Sequence, residues 1–250
     1  MSITQLKIIA AVTMLIDHLT ACCMIPEGPL YNVGRVIGRI AFPIFAFAIV
    51  EGYVHTRNLR NYFLRLAALA VVSEVLFDLL RSGQISVILG LPFGLKSGFY
   101  GFTPVNTSFL FAGQNTVFTM ILGLAAVALI DKARRSFMDR PGIYNMVGVV
   151  IIVGLGLLAE VANCDYSGLG VLLILVFYFF RNNKVMITIS FAVWIVVFCS
   201  FGSYREIASA VALIPIFLYD ATKGSRGGKV FYFYYPAHLL LVVLVRSFIV

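Results

Sequence analysis

Apolar runs about as long as a bilayer is thick recur from one end of this chain to the other, separated by short polar segments. A spanning helix needs about 20 predominantly apolar residues at roughly 1.5 Å of rise each. Lipid offers no partner to a backbone N–H or C=O, so each such run must satisfy its own backbone, and a helix does that. Composition agrees: 61% of the 250 residues are hydrophobic and 12% charged, against about half and about a quarter in soluble domains. The expected fold is all-α, a polytopic transmembrane helix bundle forming one domain over 1–250. The first run follows MSITQLK and holds Asp17 and His18 where a signal peptide would carry a small-residue cleavage site, so it reads as a retained helix.

Nine helical segments are predicted, at 5–24, 34–54, 59–80, 115–131, 143–161, 167–180, 185–202, 206–219 and 230–249. Basic residues fall on alternate connections: Lys7, then Arg57, Arg60 and Arg65, then Lys132, Arg134, Arg135 and Arg140, then Arg181 and Lys184, then Lys223, Arg226 and Lys229. The positive-inside rule makes that side cytoplasmic, with the amino terminus inside and, after nine spans, the carboxy terminus outside. The net charge of +8 reflects this bias, and no nucleic-acid partner is expected. Residues 82–113 form a long extracytoplasmic loop without Asp or Glu but with Phe93, Phe99, Tyr100, Phe102, Phe109 and Phe111. Two expectations stand for it: a re-entrant or interfacial segment at 85–95, or a lid. The four cysteines make no CxxC and no metal-ligand spacing, so no metal is expected.

Polar residues inside the apolar runs are the chemical signal, because a charge at the bilayer centre costs roughly 3 kcal/mol on insertion scales. On this topology Asp17, His18, Arg35, Arg39, Glu74, Asp78 and Asn115 all fall on the outer side of the midplane. Arg35 and Arg39 share a helix face at i,i+4, as do Glu74 and Asp78, so two arginines facing two carboxylates are expected. Asp17 and His18 point about 100° apart. Asp17 is therefore expected to pair with Arg35 or Arg39, and His18 to find a partner such as Glu74 or Asp78. His238 is a second candidate histidine beside Pro236, and His55 an interfacial residue paired with Glu51.

Several segments resemble a known family. LKIIAAVTMLIDH (6–18), GRIAFPIFAFAIVEGYVHTRN (38–58), SEVLFDLL (73–80), NTVFTMILGL (115–124), DYSGLGVLLILVFYFFR (165–181) and KVFYFYYPAHLL (229–240) occur in that order, and together they resemble the TraX family of bacterial membrane proteins. The resemblance leaves out 82–113. It implies a bacterial inner-membrane acyltransferase of the pilin-acetylation type. Such an enzyme takes an acetyl or other short acyl group from acetyl-CoA on the cytosolic side. It passes that group to an acceptor amine or hydroxyl outside, on a peptide amino terminus, small amine or sugar.

With that chemistry, acetyl-CoA is expected to set its phosphates on Arg57, Arg60, Lys223, Arg226 and Lys229, the last three in a glycine-rich loop where backbone N–H groups can approach an anion. His18 is the expected general base, since a neutral imidazole suits that task, with a carboxylate such as Asp78 orienting it and Asp17, Glu74 and His238 as further candidate catalytic residues. Arg39 or Asn115 is expected to stabilise the oxyanion, and Arg35 to help hold the acceptor. A covalent acyl-imidazole on His18 or His238 is an alternative chemistry. The rival function is a proton-coupled secondary transporter whose relay is Asp17, His18, Glu74 and Asp78; a helix scaffold glued by ion pairs is a third.

Overall fold

The structure is a computed structural model and describes residues 1–22, 25–82, 113–221 and 230–249. Its elements are α1 (Ile3–Cys22), α2 (Pro29–Gly38), α3 (Ala41–His55), α4 (Leu59–Ser82), α5 (Thr116–Ser136), α6 (Pro141–Val161), α7 (Ser167–Phe180) and α8 (Lys184–Ser200). A 3₁₀ helix, η1 (Tyr204–Ala212), then runs into α9 (Leu213–Phe217), and α10 (Val230–Ile249) closes the chain. Among the described residues the sole extended pairing is an isolated bridge between Gln114 and Cys164. The expectations for 85–95 and the rest of the long loop fall outside the described residues, as do Lys223, Arg226 and Lys229.

Helix starts follow local chemistry. Pro29 and Pro141 occupy first-turn positions, where the missing N–H is not needed. Asn58, Asn115 and Asn183 cap α4, α5 and α8 by accepting from Asn61, Val117 and Met186 backbone N–H groups. Ile3–Cys22, Pro29–His55, Thr116–Ser136 and Pro141–Val161 are long and apolar enough to cross a membrane. α7, α8 and the Val230–Arg246 part of α10 are shorter apolar stretches, and α4 is long but carries Arg60, Arg65, Glu74 and Asp78.

Two predicted helices differ from the fold. The run 34–54 is two helices, starting at Pro29 and broken at Arg39–Ile40, where backbone N–H groups bond three residues back to Val36 and Ile37. Pro43 explains the break: it has no N–H for the Arg39 carbonyl that an unbroken helix would require it to meet. The run 206–219 is η1 and α9 rather than one α-helix. Pro215 likewise denies a bond to Val211, and the buried residues Glu206, Ser209 and Ala212 recur every third position, the period of a 3₁₀ helix.

α3 is the central element, with Ala41 to Glu51 almost wholly buried. α1, α5, α7 and η1 pack around it, and α10 lies against α1 and α4. α6 is peripheral: Ala159 is its one buried residue, while Val149, Val150, Val153 and Leu157 face outward as a lipid-facing band. Contacts fix which chain ends lie together. Lys7 sits over the Phe231 ring, Arg65 over Tyr232, and Met1 donates to the Leu218 carbonyl. Glu51 accepts from Arg181 at 2.5 and 3.2 Å and from Tyr219 at 2.8 Å. These residues define one basic end of the bundle; Asp17, His18, Arg39, Asn115 and Asp165 lie toward the other.

Candidate functional site

α1 meets α2 through glycines. A Cβ on Gly34 would lie 2.0 Å from the Thr20 hydroxyl, and one on Gly38 would lie 2.3 Å from the Asp17 side chain. That closeness lets Asp17 reach both arginines of α2: Arg35 Nη1 donates to Oδ1 at 2.8 Å and Arg39 Nη2 to Oδ2 at 2.9 Å. A planar guanidinium on each oxygen offsets the desolvation of a carboxylate that is 6% exposed. Arg39 also points Nη1 at Glu206, 3.7 Å away and wholly buried on η1. The two arginines therefore share one carboxylate, rather than facing Glu74 and Asp78 as a pair.

His18, one residue on, turns to the opposite side and meets α10. Its Nδ1 lies 2.9 Å from His238 Nε2, and the rings are nearly coplanar at 11°. Neither Glu74 nor Asp78 takes the partner position predicted for it. Hydrogen-bond logic then assigns the tautomers. His238 Nδ1 lies 3.3 Å from the Tyr234 carbonyl, which only accepts, so Nδ1 carries the proton. A neutral His238 then has a bare Nε2, which accepts from Nδ1–H of His18. That leaves Nε2 of His18 with a free lone pair and no hydrogen-bond partner among the described residues. Tyr234 braces the pair, its ring stacked on His238 at 5.1 Å and its hydroxyl donating to the Ala11 carbonyl.

Glu74 and Asn115 serve the scaffold. Asn115 is fully buried; its amide donates to Glu74 at 2.5 Å and to the Ala70 carbonyl at 2.9 Å, and its oxygen caps α5. With both donors committed, Asn115 has none left for an oxyanion, the role predicted for it. Asp78 is buried in α4 one turn beyond Glu74. Arg57, between α3 and α4, and Arg60, in the first turn of α4, are exposed at the basic end.

A turn that the sequence did not single out completes the site. Asn163, Tyr166 and Ser167 have φ of 54°, 62° and 47°, the left-handed region that costs non-glycine residues about 1–2 kcal/mol each. The turn is pinned on both sides. Gln114 bonds the backbone of Asn163 and Asp165 at 3.0 and 2.9 Å, Thr116 donates to the Asp165 carboxylate at 2.6 Å, and Thr119 donates to the Asp165 carbonyl. Strain held this firmly is a mark of functional positions. Tyr166 lies flat on Phe42, ring centroids 3.7 Å apart, in the neighbourhood of Arg39. Its hydroxyl has no hydrogen-bond partner among the described residues, and burial holds the phenol well above its ordinary pKa, so it keeps its proton.

These side chains share one cavity of about 150 Å³. Lys7, Tyr62 and Phe231 line it toward the basic end, Phe45, Leu66 and Met120 along its length, and His18, Arg35, Arg39, Asp165 and Tyr166 at the far end. Its middle is apolar and its far end combines a lone pair, a phenolic donor and an arginine. That set can take a proton from a nucleophile and stabilise negative charge on an oxygen. Glu206, Asp165 and Tyr166 belong to the far end of the bundle but were not among the predicted site residues; the signals available were an acid beside Arg205 in the break between two apolar runs (Glu206) and the Asp–Tyr pair that opens the 165–181 segment.

Known proteins place the chain. A family model described as TraX protein matches residues 2–246. A relative from Dichelobacter nodosus, named "Probable fimbrial assembly protein FimC, serogroup H1", is 26% identical over 261 residues, which cover 98% of this chain and 96% of its own length. No solved structure matches. The match over nearly the whole length makes this chain a member of the TraX family.

Proposed function

We propose that the protein is a membrane acyltransferase that moves an acetyl or other short acyl group from acyl-CoA, entering at the basic end, to an amine or hydroxyl acceptor at the far end. The observation that carries this reading is the single cavity joining Lys7 and Tyr62 to His18, Arg39 and Tyr166. Its apolar middle suits a pantetheine arm, and its cationic mouth suits the phosphates behind it. In this reading the basic end is cytoplasmic, the membrane is a bacterial inner membrane, and Arg57 and Arg60 extend the mouth. The family and the fimbrial-assembly relative favour a protein amino terminus as acceptor.

The acceptor nitrogen or oxygen attacks the thioester carbonyl carbon and gives its proton to Nε2 of His18. The carbonyl π electrons move to oxygen, which takes hydrogen bonds from the Tyr166 hydroxyl and the Arg39 guanidinium. Collapse restores the carbonyl, breaks the carbon–sulfur bond and expels CoA as thiolate, which collects the proton from His18. His238 holds His18 in the tautomer this requires, and the charge formed on His18 is delocalised through their shared hydrogen bond. Asp17 acts on this step through Arg39, which it orients.

The test is transfer of labelled acetyl from acetyl-CoA to a short peptide with a free amino terminus by purified protein, wild type against His18→Ala. Loss of transfer in the variant, with CoA binding retained in a calorimetric titration, supports the reading. Undiminished transfer removes His18 from the role, and failure of the wild type to bind CoA removes the acyl-CoA reading.

A further inference from the structure

A second cavity of about 370 Å³ opens at the basic end, on the far side of α3 from His18, where α3, α5, α6 and α7 meet the start of α8. Two arginines line it, Arg134 and Arg181, together with Asn182, Tyr144 and Tyr178. No Asp or Glu does. The carboxylates behind it are occupied: Glu51 holds Nε and Nη2 of Arg181, and Asp131 pairs with Arg135 at 3.0 Å while accepting from Tyr53 at 2.6 Å. Arg134, between them in sequence, has no carboxylate partner among the described residues. The amino-terminal ends of α6 and α8 lie beside the same opening and add positive potential to it. The remaining wall is apolar, formed by Val54, Ile130 and the half-exposed Phe179.

We infer that this cavity is a binding site for a phosphate ester, whose anionic group lies between Arg134 and Arg181 and whose organic part lies on the apolar and aromatic wall. An arginine without a carboxylate partner among the described residues, a second with Nη1 left over from its pairing with Glu51, and the Asn182 amide and Tyr144 phenol at their side make the chemistry of a phosphate clamp. The site is separate from the donor cavity. Two sources present this chemistry at the basic end of a membrane protein: the headgroup of an anionic phospholipid and the adenosine bisphosphate portion of a coenzyme A.

The experiment compares wild type, Arg134→Gln and Arg135→Gln. Arg135 is the control: exposed, adjacent, paired with Asp131 and absent from the cavity wall. In one arm, purified protein in neutral detergent is titrated with adenosine 3′,5′-bisphosphate. In the other, retention of phosphatidylglycerol against phosphatidylcholine is read by native mass spectrometry. The expected result is binding in one arm that Arg134→Gln weakens about tenfold or more, the loss of one charge-assisted bond, and that Arg135→Gln leaves unchanged; the arm that responds names the source. Equal binding by wild type and Arg134→Gln in both arms overturns the inference. So does an equal loss in Arg134→Gln and Arg135→Gln, or no binding by the wild type in either arm.

Discussion

His18 Nδ1 and His238 Nε2 lie 2.9 Å apart, joining residues 220 positions distant in the chain through one proton. Because the Tyr234 carbonyl fixes the direction of that proton, the two rings act as one unit. His18→Ala is expected to lower acetyl transfer by about 10²–10⁴-fold, the range for a lost general base. His238→Ala is expected to cost less, and the double variant no more than His18→Ala alone. Losses that multiply in a double-mutant cycle would show that the rings work separately.

The same pair sets the sign of the pH response. Protonating His18 removes the lone pair at Nε2, so kcat should fall on the acid side. The residual rate of His18→Ala should lack that acid limb. A wild-type profile flat down to acid pH would contradict a neutral imidazole base.

Tyr166→Phe keeps the stack on Phe42 and deletes a hydroxyl that has no hydrogen-bond partner among the described residues. A lost oxyanion donor costs about 10²–10³-fold in kcat, and KM for acetyl-CoA should stay within about twofold, since the bond forms in the transition state. A raised KM with kcat unchanged would make Tyr166 a contact to bound substrate instead.

Asp17→Ala leaves Arg35 and Arg39 without their shared carboxylate, at side-chain exposures of 14% and 16%. Removing the acidic partner from a buried ion pair costs about 3 kcal/mol or more, read as a lowered unfolding midpoint in micelles. Arg35→Ala, which leaves Arg39 on Asp17, should cost less. Equal stability of wild type and Asp17→Ala would mean that the ion pairs are not held in the folded protein.

The glycines offer a paired comparison. At Gly38 a Cβ would lie 2.3 Å from Asp17, whereas at Gly148 nothing lies within 4 Å. Gly38→Ala is expected to drive α2 off α1 and to lower both thermal stability and activity. Gly148→Ala, on the lipid-facing α6, should leave both unchanged or raise stability slightly through helix propensity.

Length and spacing were legible in the sequence. Apolar runs marked the helices, because lipid allows few other solutions, and the i,i+4 spacing of Arg35 and Arg39 already put both on one face. Asp17 as a partner of that face followed from depth alone. The His18–His238 bond was not legible: both depths were known, but which helices touch is decided by packing across the bundle. Glu74 resembled Asp17 in sequence, yet it is drawn to the end of α5 by Asn115, a local capping demand that outweighs a more distant histidine. The break at Arg39 and the 3₁₀ run at 204–212 each have a proline within a turn, Pro43 and Pro215, but the hydrophobicity around them reads as continuous. Tyr166 gave no conformational signal, because left-handed backbone is usually announced by glycine and here is enforced by Gln114, Thr116 and Thr119.

Lys7 and His18 stand on the same helix and line the same cavity, which makes α1 a yardstick. Eleven residues of helix separate them, about 16 Å at 1.5 Å per residue. A donor that rests its phosphate on the lysine must therefore carry its reactive carbon on a tether of that reach. Acetyl phosphate, whose two groups are directly bonded, is too short to touch both landmarks at once, and an acyl group on a long carrier arm is not.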